Sequence, residues 1–272
     1  MTTRRLLPRD GADLVRALVP LGLLVVAAVV DGARPVVLPL LAVGAAIAIR
    51  RSAPVAWAWA GAVPVALALA WGALTRHWLA VDPASCTDPA NPVASLRAME
   101  AVLVLATVGV LAMVLRASAA SILLRLPARR WTRLAVLGFV VAGPVAIVVG
   151  PVLAAPFFGD VSYRLVPAAL LPALVFALSN GVAEEVAYRG ALLGWSARVV
   201  GAGPAVVGQA VVFGLAHSGA DVLGGAVPLM LAMGVGGLLA GIVALRTRSL
   251  LLPTAVHVGL DLPIYLALAC PP

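Results

Sequence analysis

Ionisable side chains punctuate the apolar C-terminal third of the chain, and four-residue spacings tie them together: Glu184-Glu185 with Arg189, Phe213 with His217, and His257 with Asp261. Residues four apart on a helix share a face, so each spacing sets its two side chains side by side. Glu185 and Arg189 can neutralise each other in a low dielectric. Glu184 points about 100° away from Glu185, so the two glutamates are expected to take separate roles. That leaves Glu184 to face a pocket as a general base toward water. Phe213 stacks one turn below His217 and would fix its ring, whether that ring does chemistry or is packed against a carbonyl. His257 with Asp261 fits a structural hydrogen bond, half of a metal site, or an oxyanion-binding pair. Ionisable groups in lipid-embedded segments are costly and mark functional sites. If their segments pack together, Glu184, His217, His257 and Asp261 converge at one depth. The spacings Gly190/Gly194 and Gly237/Gly241 permit that close packing.

The elements that must position these residues are membrane helices. With 63% hydrophobic residues, 11% charged and a mean hydropathy of +1.10, the 272-residue chain is not a soluble domain. Apolar runs of near-bilayer length predict an all-α polytopic transmembrane helical bundle of about eight or nine spans. The expected spans are 14–30, 35–49, 53–75, 98–115, 134–154, 165–188, 204–217, 226–245 and 249–268. The second and seventh are short enough to be tilted, half-buried or re-entrant. All 19 basic residues are arginine, which with the Ala, Val, Gly and Pro richness reads as a GC-rich bacterial coding bias. The net charge of +8 does not point to nucleic acid, because the arginines fall at helix ends. Alternating the spans places fifteen of them inside and leaves Arg34, Arg76, Arg97 and Arg164 outside with Asp31, Asp82, Asp88, Asp160 and Asp221. This predicts an inner N-terminus, an outer C-terminus and an odd number of spans, in the inner (plasma) membrane of a bacterium. Arg4, Arg5, Arg9 and Arg16 before the first run resemble a signal peptide, but no small-residue cleavage site follows, so an uncleaved span is expected.

Two regions are expected. Residues 1–133 form an N-terminal transmembrane scaffold of about four spans, and residues 134–272 form a C-terminal transmembrane region that holds the chemistry. The inner stretch Arg116–Arg133 separates them. The outer loop Arg76–Arg97, with Cys86, Pro83, Pro89 and Pro92, would cover the scaffold. Ionisable residues within spans are expected to concentrate after Arg164. Cys86 and Cys270 both fall on the outer side, as a disulfide or as two free thiols.

The motifs Glu184-Glu185-x-x-x-Arg189, Phe213-x-x-x-His217 and His257-x-x-x-Asp261 resemble the signature of the CPBP family. This is the CAAX-protease and bacteriocin-processing family of intramembrane glutamic endopeptidases, also called Abi or type II CAAX prenyl endopeptidase-like. The resemblance covers a core of about residues 165–262 and agrees in order, spacing and membrane setting. It implies that Glu184 activates water with help from His217, and that His257 and Asp261 bind the oxyanion. Glu185, Arg189 and Phe213 would support the site structurally. The family's last position is often Asn. Asp261 donates to an oxyanion only when protonated, and otherwise orients His257.

The resemblance implies a membrane-associated protein or peptide as substrate, the lipid bilayer as surroundings, no nucleic acid and no cofactor. Competing readings are a zinc-dependent metalloprotease with His217, His257 and a glutamate as ligands, and a non-proteolytic scaffold, immunity factor or transporter. No His-Glu-x-x-His is present to favour zinc. No Gly-x-Ser-x-Gly marks a serine nucleophile, and Phe157-Phe158-Gly159-Asp160 lacks the first glycine of an aspartyl signature.

Overall fold

Apolar segments of this length satisfy their backbone groups in lipid only as helices, and helix is what forms. The computed structural model describes residues 11–75, 78, 85–158, 162–217 and 227–272. Arg4, Arg5, Arg9, Arg76, Asp82, Pro83, Asp160 and Asp221, used above for orientation and loop assignment, lie outside the described residues, as does the Gly159-Asp160 dipeptide. The helices are α1 (Gly11–Val29), α2 (Arg34–Arg50), α3 (Ala56–Thr75), α4 (Pro92–Val114), α5 (Arg129–Phe158) and α6 (Leu170–Glu184). A π-helical segment, Glu185–Leu193, continues α6 directly into α7 (Gly194–Val200). Then come α8 (Ala202–Ala216), α9 (Val227–Thr247) and α10 (Leu251–Ala269). Among the described residues there is no strand.

Among the described residues, seven stretches are long and apolar enough to cross a bilayer: Asp31–Arg50, Ala56–Thr75, Pro92–Val114, Arg129–Val152, Pro167–Val200, Val227–Thr247 and Leu251–Ala269. Leu14–Val29 and Ala202–Ala216 are shorter apolar helices. The span expected at 35–49, short by its apolar run, gains length from a 3-10 turn at Asp31–Ala33. The span expected at 165–188 does not stop near residue 188. It runs 34 residues to Val200, because the Glu185–Arg189 pair removes the isolated charge that would have ended it. Large apolar side chains such as Met113, Val148 and Val152 point outward along α4 and α5, as lipid-facing surfaces require.

The centre of the bundle is the rod α6–π–α7. Residues 185–196 are buried without a break. Backbones reach this rod where glycine leaves room. A Cβ on Gly61 of α3 would stand 2.8 Å from the Ala191 carbonyl, and one on Gly181 of α6 would stand 2.9 Å from Val258 of α10. The expected small-residue contacts divide in two. Gly237 and Gly241 of α9 pack on Phe213 and Gln209 of α8, whereas Gly190 and Gly194 meet the turn Ala119–Ile122 rather than another membrane helix.

Core contacts also order α4 against the rod. Val93 and Ala94 share a cluster with Ala173, Phe176 and Ala177, and Ala101 and Val104 share one with Ala183, Ala187 and Tyr188. Val108 joins Val186, Ala191 and Trp195. The two helices therefore run parallel, with Arg97–Glu100 level with Asn180–Glu184. A Cys86–Cys270 disulfide, Cα–Cα 5.3 Å, ties the segment leading into α4 to the end of α10, which resolves the choice left open by the sequence. Tyr265 Oη donates to the Cys86 carbonyl at 2.8 Å beside it.

Gly214, inside the Phe213–His217 spacing, lies 2.7 Å (by its missing Cβ) from the Met230 carbonyl of α9. Gly214→Val is expected to push α8 from α9 and lower the melting temperature of detergent-purified protein. Gly236→Ala, where a Cβ meets nothing, is expected to leave it unchanged.

Candidate active site

α6 and α10 approach closely at Gly181 and Val258 and bring their polar faces together. Glu184 closes α6, Glu185 opens the π segment, and His257 and Asp261 lie one turn apart on α10. The junction between α-helix and π-helix falls between the two glutamates, a register change that recurs at functional sites.

His257 is where they meet. Its Nδ1 is 2.9 Å from Glu185 Oε1, and its Nε2 is 3.6 Å from Glu184 Oε2 and 3.7 Å from Asp261 Oδ2. The expected separation of the glutamates holds in direction but not in target. They diverge, yet one imidazole touches both, because its two nitrogens point apart. Glu185 also holds Arg189 NH1 at 3.1 Å, with both side chains almost wholly buried. Glu184 and His257 keep about one-sixth of their side-chain surface open, 15% and 16%. Oε2 is buried without a hydrogen-bond partner on both glutamates, but Glu185 Oε1 is held by Arg189 and His257, whereas Glu184 has only the longer approach to His257.

His217 stands at the end of α8. Its Nδ1 bonds the Phe213 carbonyl at 2.8 Å, which leaves Nε2 as the nitrogen able to act elsewhere. It does not hydrogen-bond Glu184, His257 or Asp261; the Phe213 ring lies between it and His257 instead. The Phe213 ring lies 4.8 Å from the His217 ring, 6.3 Å edge-on from His257, and 5.0 Å edge-on from Tyr188. The Arg189 guanidinium carbon sits 4.1 Å over that same ring, a cation–π contact strengthened by exclusion of water. Phe213 is thus the wall against which both histidines and Arg189 are set.

Three neighbours were not singled out from sequence. Asn180, one turn before Glu184, donates from Nδ2 to Asp261 Oδ2 at 3.0 Å. Its four-residue spacing from Glu184 was a readable signal. Arg97 and Glu100 form a 2.6 Å ion pair on α4, which adds a charged pair within a span to the concentration expected after Arg164. Arg97 belongs to the span Pro92–Val114 rather than to the outer loop.

Among the described residues, no group of three or more His, Cys, Asp or Glu side chains is arranged to hold a metal ion. What the arrangement offers is a carboxylate with spare acceptor capacity beside an imidazole braced by two other carboxylates. That is equipment for moving a proton and meeting negative charge.

Residues 165–263 match the Rce1-like type II CAAX prenyl endopeptidase family. The matched stretch holds every residue above except Arg97 and Glu100; α1–α5 lie outside it. No curated protein and no solved structure matches the chain. The family match and the apolar spans together support a multi-pass membrane protease acting on a peptide substrate.

Breaking a buried ion pair by removing one partner costs about 3–5 kcal/mol, because the other charge is left alone. Arg189→Met is therefore expected to lower the melting temperature sharply. Adding Glu185→Gln to that variant is expected to recover much of the loss.

Proposed function

We propose that this protein is an intramembrane glutamic endopeptidase of a bacterial inner membrane, with its N-terminus inside. It hydrolyses peptide bonds of a membrane-associated protein or peptide within or at the edge of the bilayer. The observation that carries this reading is the convergence of Glu184, Glu185 and Asp261 on the single imidazole of His257, inside the stretch that matches a protease family.

Glu184 takes a proton from water as the water oxygen attacks the scissile carbonyl. His217, across Phe213, helps orient that water through Nε2. The carbonyl oxygen becomes an oxyanion. An imidazolium carries N–H on both nitrogens: Nδ1–H of His257 donates to Glu185, and Nε2–H faces the side of Glu184 and Asp261, where the oxyanion meets it. As the tetrahedral intermediate collapses, the C–N bond breaks and the proton held by Glu184 passes to the leaving amine. Asp261 accepts from Asn180 and stands 3.7 Å from His257 Nε2. This favours its role as an orienting carboxylate over a direct donor. No step calls on a cofactor.

Glu184→Gln keeps shape and removes the base. Comparative membrane proteomics of cells carrying wild-type protein or this variant is expected to show a peptide cleaved only in the wild type. Identical peptide profiles, with both proteins equally expressed, would sink the proposal and favour a non-proteolytic scaffold or transporter. Purified protein is expected to keep cleaving its substrate in excess chelator. Loss in chelator with recovery on added zinc would instead favour the metalloprotease reading.

A further inference from the structure

The candidate site gathers more negative charge than its own helices offset. Glu184, Glu185 and Asp261 surround His257, and the one arginine nearby on the α6–π rod, Arg189, is taken up by Glu185 and by the Phe213 ring. Among the described residues no arginine is in contact with Glu184 or Asp261, although in the proposed mechanism an oxyanion forms beside them. A second cation stands alongside them on α4, in the larger part of the chain that the family match does not cover.

Arg97 lies in the second turn of α4, in parallel register with α6 and level with Asn180–Glu184. Its NH1 grips Glu100 at 2.6 Å; Glu100 is buried, while about a third (32%) of the Arg97 side chain stays open. The clusters that pair Val93 and Ala94 with Ala173 to Ala177, and Ala101 with Ala183, set Arg97 on α4 alongside the turn of α6 that holds Asn180 and Glu184, where its charge adds to the field at Glu184 and Asp261. Glu100 acts on Glu184 too. The remaining charged or titratable groups around Glu184 are His257 on α10 and Tyr188, Glu185 and Arg189 on the rod itself. Arg97 is held in place from three directions. Asn91 caps α4 by accepting from the Val93 N–H at 2.9 Å, Trp71 Nε1 donates to the Leu96 carbonyl at 3.2 Å, and the Cys86–Cys270 disulfide ties the approach to α4 to α10. A charge that must act across several ångströms of low dielectric needs that fixity more than it needs contact.

We propose that Arg97, steadied by Glu100, is a positioning residue of the active site, supplying from α4 the positive charge against which Glu184 and Asp261 are held and the oxyanion forms. The proposal rests on the endopeptidase reading above and assigns the N-terminal region a part in catalysis as well as in support.

The test uses full-length protein in detergent and a quenched fluorescent single-span peptide that the wild type cleaves. Arg97→Gln is expected to lower kcat by on the order of tenfold or more with KM little changed, and Arg97→Lys to restore kcat to within about threefold of wild type. The exchange Arg97→Glu with Glu100→Arg separates position from pairing. It rebuilds the ion pair, so the melting temperature should return toward wild type while kcat stays low. Recovery of kcat with the exchange, or full kcat in folded Arg97→Gln, overturns the proposal. If Arg97→Gln does not fold, the lysine variant and the exchange decide it on the same criteria. Glu184→Gln runs alongside. Cleavage by that variant overturns the endopeptidase reading and this proposal with it, whereas an inactive Glu184→Gln beside a fully active Arg97→Gln overturns this proposal alone.

Discussion

The structure turns on keeping several carboxylates deep in a membrane-embedded protein. An isolated ion in that setting is so unfavourable that it must be paired, hydrogen-bonded or neutralised. Glu185 meets the requirement most fully, with Arg189 on its own helix and His257 across from it. Asp261 does so through Asn180 and His257. Glu184 does so least, holding only the longer 3.6 Å approach to His257. This gradient separates roles that the residue types alone leave equal. In the proposed mechanism the best-satisfied carboxylate, Glu185, belongs to the frame, and the least-satisfied one, Glu184, takes the proton.

The frame depends on helices that approach more closely than side chains normally allow. Gly181 lets α10 lie against α6, and Gly259 lets α10 lie against α5, where a Cβ would stand 2.7 Å from Ala142. Gly61 brings α3 onto the π segment. These contacts set the depth at which His257 meets the glutamates, and the α-to-π junction sets the angle. A π turn widens the helix and weakens its hydrogen bonding. It persists here because the residues along it are buried against α3, α4, α8 and the turn Ala119–Ile122.

Much of this was legible from spacing. Residues four apart on a helix share a face whatever the fold, so the Glu185–Arg189 pair and the shared face of His257 and Asp261 could be read before any packing was known. Membrane helices were equally legible, since hydropathy reports a physical cost that applies to every residue of a span. What spacing could not show was contact between helices. Nothing local says that His257 bridges both glutamates, or that Asn180 serves Asp261 across 81 positions of chain. The sixth helix was expected to end too early, because Arg189 reads as an interfacial arginine until its partner is known to lie inside. Arg97 was misplaced for the same reason. An arginine near a predicted boundary goes to the loop by default, and only the register of α4 on α6 shows which polar groups it can reach.

That register bears on how such a site could meet its substrate. A peptide bond in a membrane helix has its carbonyl engaged by the amide four residues on, and in lipid no water replaces that bond when it breaks. Hydrolysis at mid-depth therefore needs a place where the freed groups find new partners and where water survives. The face formed by α4, α6 and α10 has both properties in part. It carries the partly open side chains of Arg97, Glu184 and His257 within a ring of otherwise buried residues. Segments already loosened by glycine or proline, or lying at the membrane edge, give up fewer hydrogen bonds on entering it. Substrate choice by such an enzyme would then follow how readily a helix unwinds as much as which side chains flank the cut.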